Sequence, residues 1–149
     1  KRLPVEKFGL MFQDFDYKIV LTGDNNDVDN GICNSFVNIF TDCLNLCGKL
    51  SFEELAGVIK GAEFVVCNDS GIMHLAEALG KKVFVCFGST VKEFGFFPQL
   101  AATEVFEVPD LNCKPCSHIG RSECPKGHFK CMQNIDVSKI RIKINEYTK

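Results

Sequence analysis

No apolar run in the 149-residue chain approaches the roughly 18 residues needed to cross a bilayer; the densest stretch is Val83 to Phe87. A transmembrane helix is therefore excluded. Neither charge is in excess, since 17 Lys and Arg stand against 19 Asp and Glu for a formal net charge of -2. A primary role on nucleic acid is excluded with it, because such proteins carry a strongly basic footprint. Low apolar content is absent too: 46% of residues are apolar and net charge is small, the opposite of a disordered chain. No repeat, low-complexity segment or flexible linker interrupts the sequence, so residues 1–149 read as a single domain. The chain opens on Lys1, with no Met and no signal-like apolar segment, as a fragment of a longer protein would.

Cysteine is present, but nine residues fall below the roughly 8–10% that marks a short disulfide scaffold. Five of them (Cys33, Cys43, Cys47, Cys67 and Cys86) sit among apolar neighbours and read as buried thiols of a reducing cytosol. The other four, Cys113-x2-Cys116-x7-Cys124-x6-Cys131 with His118 and His128 between them, have the first half of a zinc-site spacing. Zinc, disulfides and free thiols stay open for this loop.

Along the chain, apolar periodicity switches repeatedly between helix and strand. Pro4 opens a helical run carrying Val5, Phe8, Met11, Phe12 and Phe15, and Tyr17 to Leu21 follows as a strand. A weaker helix spans Val28 to Phe40, and Leu44 to Cys47 form a very short strand. Ser51-Phe52-Glu53-Glu54 has capping-box form and predicts a helix start, with Gly61 as its C-cap. Phe64 to Cys67 and Val83 to Phe87 read as buried parallel strands, separated by a helix carrying Ile72, Leu75, Ala76 and Leu79 and stopped by Gly80. Glu104 to Val108 gives a last strand, residues 112–132 a Cys-rich loop, and Val137 to Tyr147 a helix capped by Asp136. Such alternation predicts an α/β, Rossmann-like, three-layer αβα architecture with a parallel sheet.

Ligands of open parallel sheets bind beyond the carboxyl ends of the strands. The sharpest loop there is Asn68-Asp69-Ser70-Gly71-Ile72-Met73-His74, where a buried strand passes into a helix through small polar residues. Free amides and the dipole of a helix start attract phosphate. Gly71 allows close approach, Ser70 supplies a hydroxyl, and His74 lies one turn on. Asp69 repels phosphate but accepts from sugar hydroxyls, so the pattern suits a ligand carrying both. On pattern alone, Asp69 or Ser70 serves equally well as a mere helix cap.

The stretch from Val65 to Ala76 resembles the N-D-[ST]-G-x-x-H-x-A signature of the heptosyltransferase family, glycosyltransferases of the lipopolysaccharide inner core. Leu50-Ser51-Phe52-Glu53-Glu54-Leu55-Ala56 is similar to its L-S-L-x-E-L-A segment. Ala78-Leu79-Gly80-Lys81-Lys82-Val83 and Phe87-Gly88-Ser89-Thr90 resemble its A-L-G-x-P-V…F-G-x-T. The loop Cys113-Lys114-Pro115-Cys116…Cys124-Pro125-Lys126-Gly127-His128…Cys131-Met132 resembles C-x-P-C…C-P-x-G-H-x-x-C-M of many members. Lys1 to Phe8 is similar to the opening K-x-W-P-x-E-x-F, with Leu3 in place of Trp.

The resemblance implies a GT-B enzyme of two Rossmann-like domains, of which this chain is the C-terminal, donor-binding one. By position, Lys1, Ser70, Gly71 and His74 would hold the pyrophosphate of an ADP-sugar, with Ile72 in the same turn. Asp69 would hold the heptose hydroxyls, and Asp27 would stand near the ribose. The reaction implied is inverting transfer to a lipid-linked inner-core acceptor, with the general base in a missing N-terminal domain and the fragment inactive alone. No cofactor or metal is called for, and the expected location is cytoplasmic, at most peripheral on the inner membrane. Glu93 to Phe97 suits a loop closing over the donor or an apolar contact with the missing domain. A UDP-sugar enzyme and a zinc-stabilised interaction module are the competing readings.

Overall fold

A computed structural model describes residues 2–100, 102–121 and 123–149. The elements run α1 (Val5–Phe12), β1 (Ile19–Leu21), α2 (Asp27–Ile39), β2 (Cys43–Asn45), α3 (Phe52–Gly61) and β3 (Phe64–Asn68). They continue with α4 (Gly71–Ala78), β4 (Lys82–Cys86), a 3-10 turn at Lys92–Phe94, β5 (Thr103–Phe106), α5 (Lys130–Gln133) and α6 (Val137–Tyr147). None of the described helices is long and apolar enough to cross a membrane.

All strand pairs are parallel, but the ladder falls into two pieces, β1-β2 and β3-β4-β5. The expected single sheet is thus divided between β1 and β3. Across the division the contact is aromatic: Phe15 and Tyr17, just before β1, pack edge-on to Phe64 of β3 at 6.5 and 6.0 Å between ring centroids.

Strand alternation explains the three layers. Phe64, Val66, Phe84, Cys86 and Phe106 face a core shared with Met11, Phe12, Phe36, Met132, Ile140 and Ile144 of the helices on one side. Val65, Cys67, Val83, Val85 and Phe87 face the other, against Ile59, Met73 and Ala76 of α3 and α4. Burying β4 on both faces is why Val83 to Phe87 reads as an uninterrupted apolar run.

Several boundaries differ from the periodicity, β5 among them, which runs Thr103–Phe106 rather than Glu104 to Val108, and α5, which forms at Lys130 within the expected Cys-rich loop. Helix α1 stops at Phe12, and Asp14 at φ 60 turns the chain so that Phe15 packs from outside the helix. Strand β2 lies one residue earlier than the apolar run, in register with β1 from Ile19↔Cys43. Gly61 is the last helical residue, with Ala62 as cap; Gly80 does take the left-handed turn, at φ 70.

Candidate functional site

The carboxyl ends of β1, β2 and β3 converge on one cavity of about 270 Å³, lined by Thr22, Gly23, Asp24, Asn25, Gly48, Leu50, Ser51, Phe52, Leu55 and Ile72. The loops after β1 and β2 are laced together by Leu46 N–H to Leu21 O at 2.9 Å and Gly48 N–H to Gly23 O at 3.0 Å. Gly48 sits at φ 68, and a Cβ there would press to 3.1 Å on the Asn25 Cα, so this crossing requires glycine. Phe52 presents a 67% exposed ring to the cavity.

Each strand leads into a helix at this rim, and the helix starts differ. Helix α2 is closed by Asn26, whose side chain accepts from Asp29 N–H at 2.9 Å. Asp29 in turn accepts from Asp24 N–H and pairs with Arg2 at 3.0 Å. Helix α3 has the expected capping box, with Glu54 N–H donating to Ser51 Oγ at 3.2 Å and Ser51 N–H to Glu54 Oε2 at 2.7 Å. Both helices also carry two acidic residues in their first turn.

Helix α4 has neither device. Ser70 takes the extended N-cap conformation, φ -155 and ψ 172, yet its side chain makes no capping bond, and no acidic residue lies in the first turn. Ser70 and Gly71 are exposed, and a Cβ added to Gly71 would meet nothing within 4 Å. Amides and dipole at this end therefore face open space beside the cavity, which Ile72 of the same turn lines. An anion is the group that such an end attracts.

Asp69, directly after β3, is nine-tenths buried, and Thr90 Oγ1, itself fully buried after β4, donates to Asp69 Oδ2 at 2.7 Å. The N-cap position of α4 is Ser70, and one oxygen of the Asp69 carboxylate is turned across to the neighbouring strand end. Asn68 Oδ1 accepts from Leu3 N–H at 2.9 Å, which fastens the opening segment to the same rim. Lys1 lies outside the described residues. His74 is half exposed, with Nδ1 3.9 Å from Glu77 Oε2. Asp27 opens α2 on an exposed face and is not among the cavity residues; the carboxylate that lines the cavity is Asp24.

Two residues of this region escape a reading by pattern. Thr90 lies in the Gly88-Ser89-Thr90 turn, but its bond to Asp69 joins positions 21 apart. Glu77 is buried and accepts from Thr103 Oγ1 at 2.8 Å and Leu100 N–H at 3.0 Å. Thr90 belongs to the Phe87-Gly88-Ser89-Thr90 resemblance, but no local signal marks its bond to Asp69 or the burial of Glu77.

All nine cysteines are free thiols. Burial pushes the Cys67 thiol up, and that of Cys86 up to about 12, so both pack as neutral apolar groups. In the Cys-rich loop, Cys116 N–H donates to Ser89 O at 3.1 Å, which docks the loop beside Thr90. The Cys124 thiol is held below its ordinary value by backbone amides, that of Phe129 first. Among the described residues, no three His, Cys, Asp or Glu side chains gather as a metal-binding group.

Comparison with known proteins returns a family model, glycosyltransferase family 9 (heptosyltransferase), matching residues 1–126. Lipooligosaccharide heptosyltransferase 2 of Campylobacter jejuni is 30% identical over 113 residues, covering 73% of this chain and 34% of that protein. Lipopolysaccharide heptosyltransferase 2 of Salmonella typhimurium is 30% identical over 83 residues, 52% of this chain and 23% of the relative. Among solved structures, E. coli ADP-heptose lps heptosyltransferase II superposes with a TM-score of 0.77 at 21% identity, over 99% of this chain and 42% of that one. A glycosyl transferase family 9 structure from Veillonella parvula gives the same TM-score at 25% identity, over 98% and 41%. The chain thus spans about a third of the length of the Campylobacter relative.

Proposed function

The chain belongs to glycosyltransferase family 9, the heptosyltransferases, and on that premise we propose that it is the donor-binding domain of a transferase using an ADP-sugar. The observation that carries the reading is the uncapped, exposed start of α4 opening beside the cavity.

In this reading the diphosphate lies against the amides of Gly71 and Ile72, with the Ser70 hydroxyl, His74 and, by family position, Lys1 around it. The cavity takes the nucleoside: Phe52 offers a flat face to the base, and Asp24 replaces the expected Asp27 as the carboxylate beside the ribose. Thr90 holds Asp69 with its carboxylate set to accept from hydroxyls of the transferred sugar; a carboxylate accepts several hydrogen bonds at once. Heptose is the sugar suggested by the names of the relatives.

Transfer would proceed by attack of an acceptor hydroxyl on the anomeric carbon. The bond to the β-phosphate oxygen breaks, its electron pair leaves with ADP, and the hydroxyl proton goes to a base on a second domain. Helix amides and dipole stabilise the charge that develops on the departing diphosphate. That role needs no cofactor, since Lys1 and the amides share it. The acceptor in this reading is a lipid-linked inner-core saccharide, reached from the cytoplasmic side.

Thermal melting of the full chain with ADP, UDP or GDP tests the proposal. ADP at a hundredfold excess over its Kd should stabilise by about 2.7 kcal/mol. Preference for UDP would assign a different nucleotide-sugar, and no shift with any nucleotide would overturn the donor-site reading.

A further inference from the structure

Glu77 follows His74 by three residues on α4, and its two carboxylate oxygens are unequally served. Oε1 accepts from Thr103 Oγ1 at 2.8 Å and Leu100 N–H at 3.0 Å. Among the described residues, Oε2 has Gln99 N–H at 3.4 Å and His74 Nδ1 at 3.9 Å. A carboxylate buried to 6% exposure is costly unless its charge is answered. Among the described residues, His74 is the one basic side chain within 4.0 Å of it, an ion pair only when the imidazole carries a second proton. The His74 ring is 47% exposed, so it spans from the buried carboxylate to the solvent side of the helix.

We propose that Glu77 is a positioning residue for His74: it accepts from Nδ1–H, fixes the ring, and leaves Nε2 for the anion at the start of α4. This rests on the reading of that helix start as the diphosphate site and adds a residue to it. The chemistry follows from the two nitrogens of imidazole, whose tautomer is set by the bond that one of them makes. With Nδ1–H directed at Glu77, Nε2 is the nitrogen that faces the anion and, carrying a proton, donates to it. The positive ring then lies between two negative groups. Glu77 also grips Gln99, Leu100 and Thr103, so the support beneath His74 is anchored to the segment entering β5.

Ring-nitrogen NMR on the full chain without ligand is the first test. The neutral His74 ring should carry its proton on Nδ1, and Glu77→Gln should lose that preference. A bare Nδ1 with the proton on Nε2 in the unsubstituted protein overturns the proposal, even if the variant fails to fold. ADP affinity supplies the second test: Glu77→Gln should weaken it several-fold, and by less than twofold in a His74→Ala background. Equal losses in both backgrounds would make Glu77 a structural clamp and nothing more. If the unsubstituted chain binds no ADP, the donor-site reading fails, while the tautomer still decides the pairing of Glu77 with His74.

Discussion

Ser51 and Ser70 each end the link from a parallel strand to a helix, at the same rim of the same molecule. Ser51 spends its hydroxyl on its own helix and receives Glu54 in exchange, so α3 is satisfied from within. Ser70 has the same extended backbone and no such bond, and its helix lacks the acidic first turn that α2 and α3 share. Unanswered amides at an exposed helix start cost a fold some stability, and a fold that caps two of three junctions has the means to cap the third. On the proposed reading, that difference marks α4 as the end that takes the ligand.

Closing the open end should have the largest effect. Ser70→Asp supplies a capping carboxylate and sets negative charge where the phosphate would lie. ADP affinity should fall at least tenfold, about 1.4 kcal/mol, while the melting temperature holds or rises; calorimetry and melting measure both. Opening the closed end is the reverse test. Ser51→Ala should cost about 1 kcal/mol of stability in denaturant unfolding, whereas Ser70→Ala should cost under about 0.5 kcal/mol. Equal costs would erase the contrast between the two junctions.

The smallest effect is expected at α6, a capped helix away from the rim. Asp136 accepts from the Ser138 hydroxyl and amide, and that hydroxyl first of all holds its carboxyl below the ordinary 3.8. A depressed folded value means that the cap stabilises fully above about pH 4 and that this contribution is lost as pH falls through the folded value. Melting temperature against pH should therefore drop less steeply in acid for Asp136→Asn than for the unsubstituted chain.

Local signals made much of this legible. The Ser51-Phe52-Glu53-Glu54 box, the two-faced run Val83 to Phe87 and the strand–D-S-G–helix junction each declare themselves within a few residues. Asn68 to His74 reads as a strand-to-helix junction, and the helix does start within it, at Gly71, without a side-chain cap. Contacts between distant segments left no such mark. The Thr90–Asp69 bond, the burial of Glu77 under the approach to β5, and the division of the sheet between β1 and β3 all depend on where remote segments meet. The loop after β1 shows the same limit: it carries several carboxylates, and only the folded arrangement shows that Asp24 is the one lining the cavity.

The most direct measurement is amide NMR of the chain titrated with inorganic pyrophosphate, which carries the diphosphate charge and no nucleoside. The account predicts saturable shifts centred on the amides of Gly71 and Ile72, with those opening α2 and α3 little changed. Shifts centred on Phe52 or Asp27, or none at α4, would contradict it.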